Sequence, residues 1–253
     1  MPQRSNIKIL HSKLNKEQKA EDDFFCSKKS MCSVKDIEKI ISWKQKSLAI
    51  FKEIISKYKL DFSGKTLELA GGYGVHSAYL KKEYGDEIEL YYSDSSLTAV
   101  KKSSELEEFF HAKIDHKLVM EAEDIKMEDG TFDNIFFFAG FHHIQDPKHG
   151  ISECHRALKK GGKLCLILEP SCPKVLKTIY ERHTKREIKE RNYSRKEYNE
   201  FLSANFSTFK LHTFSGFKNR ETNLSKIYYR FLSILPKFLV KALPCSVVVI
   251  AVK

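Results

Sequence analysis

Long apolar runs are missing from this sequence of 253 residues. The longest uninterrupted run, Val247 to Val252, is far shorter than the roughly 20 residues that a membrane-spanning helix needs. The first residues, MPQRSNIKIL, do not lead into the apolar segment of a secretory signal. We therefore exclude an integral membrane protein and expect a cytoplasmic one.

Cysteine is also scarce, with six residues and no CxxC pair. This number and spacing exclude a disulfide scaffold and the common thiolate zinc sites, and they predict reduced, mostly buried thiols. His143, His149 and His155 are evenly spaced, but no HExxH pattern or carboxylate triad accompanies them. We therefore predict no metal site.

Arginine is rare among the basic residues, although the net charge is +11. The 44 basic residues comprise eight arginines and 36 lysines, and the lysines are spread from Lys8 to Lys253. Nucleic-acid recognition favours clustered arginine, so this pattern indicates a solvated basic surface and argues against a nucleic-acid partner.

An alternation of short apolar runs with helical stretches is present instead. The predicted strands are 66–70, 87–93, 117–121, 133–139, 163–169, 206–214 and 246–252. The predicted helices between them are 75–84, 97–113 and 147–160, the last ended by Gly161-Gly162. Such alternation predicts an α/β fold in which helices cover both faces of a mostly parallel sheet.

Ahead of this region, an amphipathic helix is predicted from Ser33 to about residue 58. Residues 1–32 lack apolar periodicity and are predicted to be a loosely ordered arm. We predict an N-terminal arm and helical cap over 1–60, and one domain over 61–253 with a helical insertion at about 217–244.

The stretch Leu67 to Val75 (LELAGGYGV) is an apolar strand that ends in small residues and leads into a helix. Small residues let a ligand approach the backbone, and a helix start offers free N–H donors. The spacing fits neither the dinucleotide GxGxxG frame nor a GxxxxGKT phosphate loop, where Lys59 replaces the first glycine.

What this stretch resembles is the first motif of the class I S-adenosylmethionine-dependent methyltransferases, an acidic residue followed by glycines two, four and six positions later. The matching frame is Glu68, Ala70, Gly72 and Gly74, with Ala70 in place of the first glycine. Later motifs follow in the family's order: Asp94 ends the second strand, EAEDI follows the third, and FHHIQDP follows the fourth. The run from Glu153 to Leu164 completes a resemblance to the small-molecule, UbiE-like branch over roughly residues 62–170.

The resemblance implies S-adenosylmethionine as cofactor, a Rossmann-like sheet of seven strands whose final strand is antiparallel, and specific contacts. Asp94 would accept hydrogen bonds from both ribose hydroxyls, and Glu121 from the adenine amino group. The full predicted cofactor set is Glu68, Ala70, Gly71, Gly72, Gly74, Asp94, Ser95, Glu121, Ala122 and Ala139. Structural alternatives are that Asp94 only caps the helix that begins near Ser96, and that Glu68 is only a surface residue at the sheet edge.

Methyl transfer depends mainly on alignment, with a base needed where the nucleophile must lose a proton. His142 and His143 lie in the loop where methyl and acceptor would meet, and a neutral imidazole suits removal of a hydroxyl proton. The alternative is that they only pack or orient. Glu169 is the second catalytic candidate.

The acceptor is predicted less directly. The (N/D)PP(Y/F) element of base-methylating enzymes is absent, since AGFHH follows the fourth strand. The tract from Glu169 to Tyr198 resembles methyltransferases of saccharide and secondary-metabolite pathways. We predict methylation of a small or glycan-like acceptor at oxygen; the alternatives are a quinone or lipid methyltransferase with peripheral membrane contact, and a non-catalytic cofactor-binding domain.

Overall fold

A twisted sheet flanked by helices forms the centre of the protein. The computed structural model describes residues 7–10, 37–177, 191–220 and 222–253, together with Lys19 and Asp23. The strands are β1 (Ile7–Ile9), β2 (Gly64–Glu68), β3 (Ile88–Asp94), β4 (His116–Val119), β5 (Phe132–Phe138), β6 (Leu158–Ser171), β7 (Thr208–Phe214) and β8 (Cys245–Val252). The helices are α1 (Ile37–Tyr58), α2 (Val75–Tyr84), α3 (Leu97–Phe110), α4 (Pro147–Ala157), α5 (Arg195–Ser203), α6 (Asn223–Ile234) and α7 (Lys237–Val240).

The strands lie in the order β1-β4-β3-β2-β5-β6-β8-β7. All pairs from β1 to β6 are parallel, and β8 is antiparallel to both of its neighbours. This confirms the predicted mostly parallel, Rossmann-like sheet with an antiparallel final strand. The number of strands differs from the prediction: the described sheet has eight, because residues 7–9 of the predicted loose arm pair with β4.

The predicted helix over 147–160 was too long. Helix α4 ends at Ala157, and Leu158 begins β6 by pairing with Phe132 of β5. Gly161 does not stop a helix; it turns within β6 at φ 81° and donates its N–H to the Lys253 carbonyl at 2.7 Å. Pairing with two distant strands overrides the local helical signal.

Strand β5 is the central strand, as its apolar sequence predicts. Ile135 and Phe137 lie in the core on one face of the sheet, and Phe136 and Phe138 lie in the core on the other face. Helix α1 covers the second face, where the ring centroids of Phe51 and Phe136 are 5.8 Å apart. The predicted start of this helix at Ser33 lies outside the described residues.

The segment from Asn223 to Val240 forms two short helices, α6 and α7, separated at Pro236. It joins the end of β7 to the start of β8. No helix within the described ranges has the length and apolar character needed to cross a bilayer.

Candidate active site

The loop between β2 and α2 lies at the carboxyl edge of the parallel strands. Three residues in it have left-handed backbone angles: Ala70 at φ 52°, Gly72 at φ 58° and Gly74 at φ 75°. Glycine adopts these angles without a steric cost, whereas alanine does so at a cost. A Cβ built on Gly72 would meet no atom within 4 Å, so this backbone faces open space.

The ring of Tyr92 in β3 packs against the rest of the loop. A Cβ built on Gly71 would lie 2.8 Å from a ring carbon of Tyr92 and 2.9 Å from Cδ of Glu68. The Tyr92 hydroxyl also donates a hydrogen bond to the Gly72 carbonyl. The loop therefore has one supported face and one open face. Tyr92 was not predicted as a site residue, although it lies only two positions before Asp94.

Glu68 is fully buried at the end of β2. One of its carboxylate oxygens, Oε2, accepts hydrogen bonds from the backbone N–H and the hydroxyl of Ser77. The other oxygen, Oε1, lies 3.4 Å from Nδ1 of His76. Glu68 thus fixes the first turn of α2 against β2, and direct contact with a cofactor stays a prediction.

Asp94 lies at the end of β3, beside the glycine loop. Its Oδ2 accepts the Gly72 N–H at 2.8 Å, and its Oδ1 accepts the Ser96 N–H at 2.9 Å. The cap of α3 is the Ser96 side chain, which accepts the Ala99 N–H at 3.1 Å. Ser96 is therefore the capping side chain, and Asp94 fixes the backbone of Ser96 just before the helix; a contact of Asp94 with the ribose stays a prediction. Ser95, between the two, is half-buried.

The acidic segment after β4 contacts the loop after β5. Glu121 is half-buried and Ala122 is buried in the core. Glu123 Oε1 accepts the backbone N–H of Gln145 at 2.6 Å and that of Asp146 at 3.2 Å, and burial raises the pKa of this carboxyl. These contacts hold the loop after β4 against the loop after β5. Strand β4 is the neighbour of β3, which ends at Asp94.

The loop after β5 is built around Glu169, which is fully buried in β6. Its Oε1 accepts the N–H groups of Gly140 and Phe141, both at 2.9 Å. Its Oε2 accepts the His142 N–H at 3.2 Å and contacts His142 Nδ1 at 2.8 Å. One carboxylate therefore orders the whole turn and one imidazole. Ala139, just before this turn, has a left-handed φ of 48°.

The contact with Glu169 determines which nitrogen of His142 carries the proton. A carboxylate only accepts hydrogen bonds, so Nδ1 of His142 must be the donor. In the neutral ring, Nε2 then has a lone pair and can accept a proton. His143 is half-buried, and its ring centroid lies 4.1 Å from that of His142. His142 thus has a buried carboxylate, Glu169, as the partner of its Nδ1.

The histidine turn packs against the glycine loop on one side. A Cβ built on Gly140 would lie 3.0 Å from both Cβ and the carbonyl oxygen of Ala70. On another side, Arg191 donates its N–H to the His142 carbonyl at 3.1 Å and its Nη1 to the His143 carbonyl at 3.0 Å. The structure therefore brings the predicted cofactor loop and the predicted catalytic residues together.

Tyr193 is a further site residue that the sequence did not single out. The residue is buried. Its carbonyl accepts the backbone N–H of Cys172 at 3.0 Å, and its backbone forms a β-bridge with Ser171. Its hydroxyl has no hydrogen-bond partner among the described residues, and burial raises its pKa to about 12. A neutral phenol with an unused donor is thus buried beside the end of β6.

Residues 67–166 match a family model described as a methyltransferase domain. Over this span the chain is similar to the class I S-adenosylmethionine-dependent methyltransferases. The demethylmenaquinone methyltransferase of Clavibacter sepedonicus is 29% identical over 114 residues, 44% of this chain and 43% of that protein. The ubiquinone/menaquinone biosynthesis C-methyltransferase UbiE of Idiomarina loihiensis is 29% identical over 124 residues, 46% and 49% of the two chains. The chain thus spans about half the length of the curated relatives it matches.

Solved structures share the fold of the methyltransferase domain. Phosphoethanolamine N-methyltransferase 2 of Haemonchus contortus, in complex with S-adenosyl-L-methionine, superposes with a TM-score of 0.58 at 18% identity. This match covers 83% of the present chain and 52% of that one. Geranyl diphosphate C-methyltransferase of Streptomyces coelicolor A3(2) gives a TM-score of 0.54 at 15% identity, covering 74% and 70%.

The residues of the methyltransferase domain fit the family's cofactor. The open face above Gly72 leaves room where a side chain would otherwise stand. Asp94 presents both carboxylate oxygens at the end of β3 beside this open face, and a carboxylate is an acceptor that suits the two hydroxyls of a ribose. The geometry is therefore suited to a nucleoside that lies across the loop with its ribose hydroxyls at the Asp94 carboxylate.

Proposed function

We propose that the chain transfers a methyl group from S-adenosylmethionine to a hydroxyl-bearing small molecule. The Glu169–His142 pair next to the glycine loop is the observation that supports this most directly. Asp94, Gly72 and Gly74 would hold the cofactor, with Glu68 fixing the helix behind the loop. When bound, S-adenosylmethionine supplies a methyl group on a positively charged sulfur, which is a strong electrophile.

His142 is the proposed general base. Its Nε2 takes the proton from the acceptor hydroxyl, while Nδ1–H remains bonded to Glu169 at 2.8 Å. The acceptor gains the methyl group, and the proton passes from His142 to solvent after release. Glu169 is a positioning residue in this scheme, because four donors surround its oxygens.

The identity of the acceptor is a second step of the proposal. The names of the relatives favour a quinol-type acceptor, which has hydroxyl groups on its ring. Removal of a ring hydroxyl proton raises the nucleophilicity of both that oxygen and the adjacent ring carbons. The same base therefore serves methylation at oxygen, as predicted from the sequence, or at carbon. A saccharide-like acceptor is the alternative that the tract around Tyr193 favours.

Mass spectrometry with isotope-labelled cofactor tests the proposal. The protein would be incubated with labelled S-adenosylmethionine and, separately, with prenylated quinols and with saccharides. We expect labelled product from the quinols, and fragmentation shows whether oxygen or carbon carries the methyl. Tight cofactor binding without turnover on any acceptor would instead favour a non-catalytic binding domain.

A further inference from the structure

Helices α6 and α7 carry a concentrated apolar surface. Of the nine exposed large apolar side chains in the described part of the chain, six lie on these two helices. We define them as the α6–α7 face; they are between 42% and 78% exposed. The six are Leu224, Ile227, Phe231, Ile234, Phe238 and Leu239.

The face is not needed to attach the helices to the core. The inward side is fixed by other groups: Leu232 and Val240 are buried, and the Tyr228 hydroxyl donates to the Pro244 carbonyl at 2.6 Å. The Tyr229 hydroxyl lies 2.8 Å from Oγ of Ser246. An ordinary helix that covers a sheet would turn its apolar side inward, whereas α6 has apolar residues on both sides.

The charged residues of the segment that carries the face have one sign. From Thr222 to Pro244 the sequence contains four basic residues and no Asp or Glu. Arg230, Lys237 and Lys241 are exposed beside the apolar side chains, and Lys226 is half-buried. A rim with basic residues and no acidic ones is complementary to an anionic surface.

The position of the face links it to the active site. Phe214, at the end of β7, pairs with Ser246 of β8, and Cys245 pairs with Ser171 of β6. The segment that carries α6 and α7 therefore leaves and re-enters the sheet at the edge where β6 carries Glu169. Leu232 belongs to the same core cluster as Tyr193.

From these observations we infer that the α6–α7 face docks on an anionic lipid bilayer. The apolar side chains enter the boundary between headgroups and acyl chains, and the basic rim contacts anionic headgroups. This extends the proposed function, because a bilayer at this edge would present a lipid-tailed acceptor to His142. Docking itself needs no cofactor, so the two can be tested separately.

Co-sedimentation of the full chain with vesicles tests the inference. We expect binding to vesicles of phosphatidylglycerol and phosphatidylcholine at low salt, and binding about tenfold weaker at high salt or with phosphatidylcholine alone. Phe231→Glu should weaken binding about tenfold or more, because it places a charge in the apolar layer. Ile227→Glu is the second variant and should do the same.

Phe109 provides the matched control. It is an exposed phenylalanine on α3, 44% exposed against 49% for Phe231, and it lies outside the α6–α7 face. Phe109→Glu should leave vesicle binding unchanged. The triple variant Arg230→Gln, Lys237→Gln and Lys241→Gln should remove the preference for anionic over neutral vesicles.

Cofactor calorimetry on every variant separates the possible failures. Absent vesicle binding at low salt, with cofactor affinity intact, would overturn docking and leave the proposed function standing. A dimer in solution that Phe231→Glu dissociates, without vesicle binding, would show that a second copy covers the face and would overturn the inference. Vesicle binding with no cofactor affinity would support docking and contradict the proposed function.

Discussion

Replacing Glu169 with glutamine should lower turnover while leaving cofactor affinity unchanged. In the structure, Oε1 accepts the N–H groups of Gly140 and Phe141, and Oε2 accepts the N–H of His142 and its Nδ1–H. Glutamine has the same shape but only one oxygen. If that oxygen stays with Gly140 and Phe141, the amide NH2 faces His142. Nδ1 must then accept a hydrogen bond, and the ring proton moves to Nε2, the atom proposed as the base.

The size of the effect follows from the two functions of the carboxylate. Loss of a general base costs about 10²- to 10⁴-fold in rate, equivalent to about 3–5 kcal/mol in the activation free energy. The buried His142 N–H also loses its acceptor, which should cost about 1–3 kcal/mol of stability. The activation free energy should therefore change more than the free energy of unfolding. His142→Ala should give a similar loss of turnover. The double variant should be no worse than either single variant, because the two side chains act as one unit.

Nitrogen NMR of the labelled imidazole gives a readout that needs no acceptor. The wild-type chain should show His142 protonated at Nδ1, and Glu169→Gln should shift the proton to Nε2. Calorimetry with S-adenosylhomocysteine should give equal affinities for the two proteins. A wild-type ring protonated only at Nε2, or a Glu169→Gln variant with wild-type turnover, would refute the reasoning.

Three further outcomes follow from the glycine loop and the helix behind it. Ala70→Gly should raise Tm by about 2–4 °C, because glycine relieves about 1 kcal/mol at a φ of 52°, and thermal unfolding checks this. Gly71→Ala should weaken cofactor binding measured by calorimetry, since the new Cβ would lie 2.8 Å from the Tyr92 ring; unchanged affinity would contradict the packing described for the loop. Burial lowers the pKa of His76 below 6.5, so the unfolded chain binds more protons and the free energy of unfolding should fall as pH drops below about 6.5. Denaturant titrations over this range should show a smaller fall for His76→Gln, and an equal fall would be inconsistent with a buried neutral ring.

Much of the fold follows from local pattern. The strands from β2 to β8 and helices α2 and α3 lie close to their predicted places, because short apolar runs and the helical stretches between them are visible in the local sequence. Strand β1 was missed because three residues, Ile7–Ile9, are too few to show a period, and only their pairing with β4 makes them a strand. The end of α4 was misplaced for a related reason: Leu158 to Gly162 are fixed by β5 and by the chain terminus, which lie far away in sequence.

The candidate site was predictable to a similar depth. The order of motifs indicated Asp94, the glycine loop and the histidine turn, because spacing along alternating strands and helices sets which residues reach one edge. The sequence did not show that Glu169 would be enclosed by four donors, or that Glu68 would bond Ser77. Those contacts depend on loop conformations that only the packed structure defines. Tyr193 is a similar case, since its ring is buried against those of Phe141, Tyr198 and Phe201, which come from other elements.

Calorimetric titration with S-adenosylmethionine, on the wild-type chain and on Asp94→Ala, tests the central claim most directly. Asp94 should accept two ribose hydrogen bonds, each worth on the order of 1 kcal/mol or more, so the variant should bind about tenfold or more weakly. Glu128→Ala, which removes an exposed carboxylate from the loop before β5, is the control and should bind like wild type. Saturable one-to-one binding that the Asp94 substitution alone weakens is the predicted result. Absence of binding by the wild-type chain, or equal binding by wild type and Asp94→Ala, would contradict the account.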